Sequence, residues 1–199
     1  MKRMLAFLVV VVAALASAPA WGQSAEQGSK SDQVMLKLRQ IDLLNMLIPL
    51  ALTHDQIEKI LPSIERARQK VRDAEKNEAA TLEKLDAKVS DAIKKSIETS
   101  VAPPKALLDE LAHTTQEMSD ARIAIVEENT DNVLKVFGDT VNAGQKKAAT
   151  NSFSPAYIDP KAKPDTVTDD EKLRFFVRDI LLDPQSYDIL VQMSRHASQ

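Results

Sequence analysis

Apolar residues recur at helical spacing from Thr53 to about Ser100, where Ile57, Ile60, Leu61, Ile64, Val71, Leu82, Leu85, Val89, Ile93 and Ile97 form one stripe. At 1.5 Å per residue this predicts a rod of roughly 65–70 Å, and a rod with a single apolar stripe must lie against something else. Pro62 falls well inside it, so the backbone bond to Glu58 is lost and a bend is expected there. Between Val71 and Leu82 the stripe thins to Ala74, Glu78 and Ala79, which fits either close approach of a second backbone or a weakly packed stretch. Val101-Ala102-Pro103-Pro104 then breaks the helix, and a second one restarts near Lys105. Its residues Leu111, Met118, Ile125 and Asn132 recur every seven positions beside Leu107, Leu108, Ala121, Val133 and Val136, a coiled-coil-like seam. The expected core architecture is a long antiparallel helical hairpin. Two narrow stripes bury no complete core, so the first helix, the tail or a second copy must cover the remainder, and a homodimer is the economical solution.

Composition supports an all-α fold with short helices flanking the hairpin. Four glycines and 4% aromatic residues are too few for a sandwich or barrel. The absence of cysteine excludes disulfides, thiolate zinc and a cysteine nucleophile together. Residues 1–22 read as a secretory signal: Lys2 and Arg3, an apolar run from Met4 to Ala16, then small residues at Ala18-Pro19-Ala20 and Ala20-Trp21-Gly22. That run, about a dozen residues, is too short to span a bilayer, and no later segment is apolar enough, so no integral membrane segment is expected in the mature chain. A periplasmic or otherwise exported location is expected after signal removal. Taking Lys2 and Arg3 from the 26 basic residues leaves 24 against 29 acidic ones, a balance without a nucleic-acid footprint.

Flanking segments are read in the same way. Residues 23–32 are polar and aperiodic, a disordered leader. From Val34 the apolar positions Leu36, Leu38, Ile41, Leu43, Leu44, Leu47 and Ile48 wrap more than one face, predicting a short helix buried on several sides and ended by Pro49. Phe137-Gly138 offers a stop with glycine available for a left-handed cap, and Asn142 opens a short helix to about Ala149. The helical domain spans 33–150. Residues 151–168, with Pro155, Pro160 and Pro164, have linker composition. A C-terminal helical extension, 169–199, follows: one helix capped by Thr168 and Glu171, and one opening at Asp183-Pro184. Phe153, Tyr157, Phe175, Phe176 and Tyr187, nearly all aromatic residues of the mature chain, sit in this C-terminal part, and docking onto the hairpin or covering an apolar surface are both open to it.

The start of the long helix carries the chain's best motif. Thr53 is an N-cap and Gln56 reaches back to the Thr53 N–H, a capping box, while Leu52 and Ile57 flank it as a hydrophobic staple. Alone, such a box says nothing about function. A weaker second copy, Val141-Asn142-Ala143-Gly144-Gln145, follows the hairpin, so that the two lie on either side of it. Two such motifs bracketing a helical hairpin resemble the periplasmic LTXXQ family, the Spy/CpxP group of envelope-stress proteins. The match covers roughly 35–150. Leu52, Thr53 and Gln56 fit the motif, whereas the second copy keeps Gln145 but has Val141 for Leu and Asn142 for Thr. The resemblance implies ATP-independent binding of unfolding proteins on a helical surface.

Chemistry has little footing elsewhere. His54, His113 and His196 form no metal-binding pair, although Met193 and His196 are three apart and some members of the family answer metal stress. No serine elbow, phosphate loop or nucleotide fingerprint occurs, so no catalytic residue, cofactor or metal ligand is assigned. Arg66, Arg68, Lys70, Arg72 and Lys76 depart from the mixed charge pattern, with Arg68, Arg72 and Lys76 spaced by four on one helix face. They are the candidate contact surface for acidic, partly unfolded clients. The expected function is an exported chaperone or envelope-stress protein. A periplasmic metal-responsive sensor or metal buffer and a structural coiled-coil adaptor are the alternatives.

Overall fold

The computed structural model describes residues 30–152 and 167–197, and these are all-α, without a strand. Helix α1 (Lys30–Leu47) leads through a 3-10 turn, Ile48–Leu50, to α2 (His54–Thr99). α3 (Lys105–Thr140) returns along α2, followed by the short α4 (Ala143–Asn151). After the gap come α5 (Asp169–Phe176), continued by a π-helical turn, Val177–Leu181, and α6 (Pro184–Ala197). The chain divides into two units at Val34, and of the first only Lys30–Val34 are described. The signal segment 1–22, residues 23–29 of the leader, and residues 153–166 with Phe153 and Tyr157 lie outside the described residues. No described helix is long and apolar enough to cross a membrane.

Local chemistry explains the helix limits. α2 ends where Ser100 turns left-handed at φ 55°, and the prolines beyond prevent resumption until Lys105. The helix continues through Pro62, and Thr99 closes a 46-residue element. α3 runs past Gly138, contrary to the expected glycine stop. It ends at Val141, whose backbone is extended (φ −96°, ψ 151°) and whose N–H donates to the Phe137 carbonyl at 3.0 Å. The reason is that Val141 must bury its side chain and lead Asn142 into the next cap. α1 begins at Lys30, inside the expected leader, with Asp32 in its first turn where the helix end favours negative charge.

The core lies at one end of the hairpin. Leu43 and Leu47 of α1, Ile57, Ile60 and Ile64 of α2, Val133 and Phe137 of α3, and Ala149 of α4 are fully buried there, joined by Phe176, Val177, Leu181 and Leu190 from the tail. The Phe137 and Phe176 rings meet at 5.8 Å with a 32° tilt. The tail therefore docks on the chain's own hairpin and supplies part of its core. Away from this end the arm is two helices only, and from Arg68 to Glu128 Ala92 alone is buried.

Two expectations about packing are corrected. α1 is not buried on several sides: Met35, Leu36, Leu38 and Ile41 are 44–63% exposed, because only the C-terminal half of the helix reaches the core. The heptad seam holds at Leu111, Met118 and Ile125, which are half-buried, but Asn132 is exposed. Its place is taken by Asn129, buried, whose Nδ2 donates to the Ala67 carbonyl at 3.2 Å. A straight helix drifts about 20° per heptad from a strict seven-residue repeat, so after three heptads the inward position has moved one turn back.

Ion pairs tie the rim of the tail to the rest. Arg39 of α1 donates to Asp183 Oδ2 and to the Asp179 carbonyl, both at 2.9 Å, and Arg174 bridges Glu127 and Asp131 of α3. Exposed pairs contribute little each, so the apolar contacts carry the docking. Phe176→Ala should cost about 3–5 kcal/mol and lower the midpoint of a single thermal transition for the whole chain. An unchanged melt followed by far-UV circular dichroism would mean that the tail is a detachable cover.

Candidate functional site

The two motifs, 89 positions apart, meet. Thr53 Oγ1 accepts from the Gln56 N–H at 3.3 Å and Gln56 Oε1 accepts from the Thr53 N–H at 3.1 Å, which closes the first box. Asn142 Oδ1 accepts from the Gln145 N–H at 3.0 Å and Gln145 Oε1 from the Asn142 N–H at 2.9 Å, which closes the second. Each glutamine then uses its remaining sites on the other motif. Gln56 Nε2 donates to Gln145 Oε1 at 2.9 Å, and Gln145 Nε2 donates to Gln56 Oε1 at 2.8 Å. The second proton of Gln56 goes to the Thr140 carbonyl at 3.1 Å, and that of Gln145 to the Ala51 carbonyl at 3.3 Å, in each case two residues before the opposite N-cap.

The result is a local two-fold arrangement in which both amides use both protons and both oxygen lone pairs. Amide orientation is determined by the surroundings, since backbone N–H groups demand the oxygens and backbone carbonyls demand the nitrogens. Leu52 and Val141, the residues before the caps, are buried equivalently. Asn142 thus does the work of Thr53 with a longer side chain. Gly144 leaves room for it, because a Cβ there would stand 3.2 Å from Asn142 Oδ1. Ala51 adopts a left-handed φ of 44° to present its carbonyl, at a cost of roughly 1–2 kcal/mol for a residue with a Cβ.

The basic cluster is dispersed rather than presented as a free face. Lys70 Nζ meets Glu128 at 2.5 Å, Arg72 meets Glu65 at 2.5 Å and Gln69 at 2.8 Å, and Arg68 reaches Glu65 at 3.4 Å. The Arg68 guanidinium also stacks over the Tyr187 ring of α6 at 4.4 Å. Arg66 and Lys76 are exposed. The helical spacing of Arg68 and Arg72 was visible in sequence, but Glu128 and Tyr187 come from distant segments.

A polar group that the sequence did not reveal joins α2 to α6. Ser194 Oγ donates to Glu58 Oε1 at 2.9 Å and lies 2.8 Å from His54 Nδ1. The His54 ring nitrogen is also 3.2 Å from the Ser194 carbonyl. His54, Glu58, Leu61, Val191, Ser194 and Arg195 line a recess of about 490 Å³. The hydroxyl stands between ring and carboxylate, so the carboxylate does not orient the imidazole, and Ser194 is buried. The geometry suits a tie between helices, not an activated nucleophile. Among the described residues no cluster of His, Asp and Glu is arranged to hold a metal ion.

No protein-family model matches the chain, and comparisons with curated proteins and with solved structures give no match.

Removing either glutamine side chain should cost about 1–3 kcal/mol, because the surviving amide and a backbone carbonyl lose partners. The double variant Gln56→Ala/Gln145→Ala should cost less than the sum, and additive losses in a denaturant double-mutant cycle would show that the two boxes act independently. Acidity tests the exposed ties. The Lys147 ammonium, bonded to Asp169, holds that carboxyl below its ordinary value, and the Thr168 N–H does the same for Glu171. Both are depressed in the folded state, so their stabilisation is complete above the ordinary carboxylate range near pH 4 and is lost as pH falls through the lower folded values. Melting temperature should be flat from about pH 7 to 5 and fall below about 4, with a smaller fall in Asp169→Asn.

Proposed function

We propose that the chain is an exported, ATP-independent chaperone of the LTXXQ, Spy/CpxP-like type, which holds unfolding polypeptides on its helical arm. One observation carries this reading: large aliphatic side chains stay in water along the long helices. Leu82, Ile93, Ile97, Leu108 and Ile123 on the arm are all at least 38% exposed. Exposed aliphatic surface interleaved with charge marks a place for association, and long mobile cations around it adapt to many partners. The paired boxes support the resemblance, since Gln145 matches the role of Gln56 despite the changed neighbours. Arg66 and Lys76 remain outward for acidic client segments, while Arg68, Lys70 and Arg72 first have to leave their partners in the chain. A homodimer belongs to the same proposal, with the apolar face of α1 as the surface it would cover.

The test dilutes a denatured client into buffer without ATP and follows light scattering. The protein should suppress scattering near stoichiometric amounts. Leu82→Ser/Ile93→Ser/Ile97→Ser should weaken suppression several-fold at unchanged helicity, because its sites are exposed. Failure of the parent protein to suppress aggregation refutes the reading.

A further inference from the structure

Where the apolar stripe thins, the arm is open. Ala74 on α2 and Ala121 on α3 are too short to fill the seam between Val71 and Leu85 on one side and Leu111 and Ile125 on the other. A cleft of about 420 Å³ remains, with Ala74, Met118, Ala121 and Ile125 as its apolar lining. This answers the question that the sequence left open, in favour of a weakly packed stretch. The volume is at the lower end of ligand-binding pockets, about 300–1,000 Å³. Its shape is elongated, since the α2 wall runs from Lys70 to Thr81, roughly 16 Å along the helix. That length accepts about five residues of extended chain at about 3.3 Å each. Met118, half-buried, adds a side chain that repacks easily around different aliphatic groups.

The charges on the rim are not balanced. Lys70 is neutralised by Glu128, and Glu78, nearly buried, is neutralised by a two-pronged pair with Arg122. The Arg122 guanidinium is held charged by that carboxylate. Asp73 and Glu117 remain, one on each wall. Asp73 accepts from Gln69 Nε2 at 2.9 Å, and Glu117 faces the His113 ring at 3.7 Å. We infer that this cleft receives an extended polypeptide segment whose aliphatic side chains enter the seam and whose flanking lysines or arginines meet Asp73 and Glu117. The assignment rests on the client-holding reading and refines it, naming basic-aliphatic segments for this cleft beside the acidic ones expected of Arg66 and Lys76.

The probe is a pair of labelled ten-residue peptides with the same aliphatic centre, one flanked by lysines and one by glutamates, titrated with the purified chain by fluorescence anisotropy. The lysine-flanked peptide should bind about tenfold more tightly, a preference that shrinks with salt. Asp73→Asn/Glu117→Gln should abolish the preference, and Ala121→Leu, at an exposed position, should weaken both peptides by filling the seam, with helicity unchanged. Equal binding of the two peptides, or indifference to both variants, overturns the cleft assignment. Suppressed aggregation with no peptide preference removes the cleft alone. Peptide preference without suppressed aggregation removes the chaperone reading and leaves a docking groove.

Discussion

Two glutamine amides facing each other carry the closure of the hairpin. A helix N-terminus leaves backbone N–H groups without partners, and a capping box satisfies two of them locally. Here the same side chain that closes each box also reaches the opposite one, so the start of α2 and the turn between α3 and α4 share one hydrogen-bonded unit. The cost of leaving a buried amide half-satisfied exceeds the gain from making one extra bond, which makes the register of the two ends strict. Ala51, held in a left-handed conformation to offer its carbonyl, is the strain that this strictness requires.

Around that unit the packing is uneven. Core residues from all six described helices and both short turns collect at the end where the chain enters and leaves the hairpin. Beyond Ala67 the arm has no third layer, and cross-helix ties such as Lys88 to Glu110 at 2.7 Å and Arg122 to Glu78 lie at or near the surface. Local stability follows burial, so the free energy of opening should fall from base to tip. The described residues thus form a densely packed base that carries a lightly packed arm.

The tail changes how the molecule must be viewed. Phe176 and Leu181 are as buried as Ile57 and Phe137, so α5 and α6 are part of the structural unit that sets the arm's geometry. The π-helical turn between them delivers Val177, Ile180 and Leu181 to the core, while Arg39 donates to the Asp179 carbonyl and to the Asp183 carboxylate at its end. Phe175 goes to the rim with Arg178 over its ring at 5.3 Å, and Tyr187 goes beneath Arg68. Aromatic residues concentrated in one segment thus serve both interior and edge.

Sequence by itself determined the all-α class, the hairpin, the three capping boxes and the break at Pro103-Pro104, because each rests on contacts three or four residues apart or on periodicity along one helix. It also marked Ala74 as a weak point, without deciding whether a backbone or a cleft would lie opposite. Tertiary structure alone decided that Gln56 and Gln145 pair, that Asn129 replaces Asn132 in the seam, that α1 leaves Leu38 and Ile41 in water, and that Glu128 and Tyr187 engage two of the five residues of an apparently free basic face. Each of these depends on which distant residue arrives opposite. That is set by the accumulated rotation of long helices and by where the tail docks, quantities that local spacing does not contain.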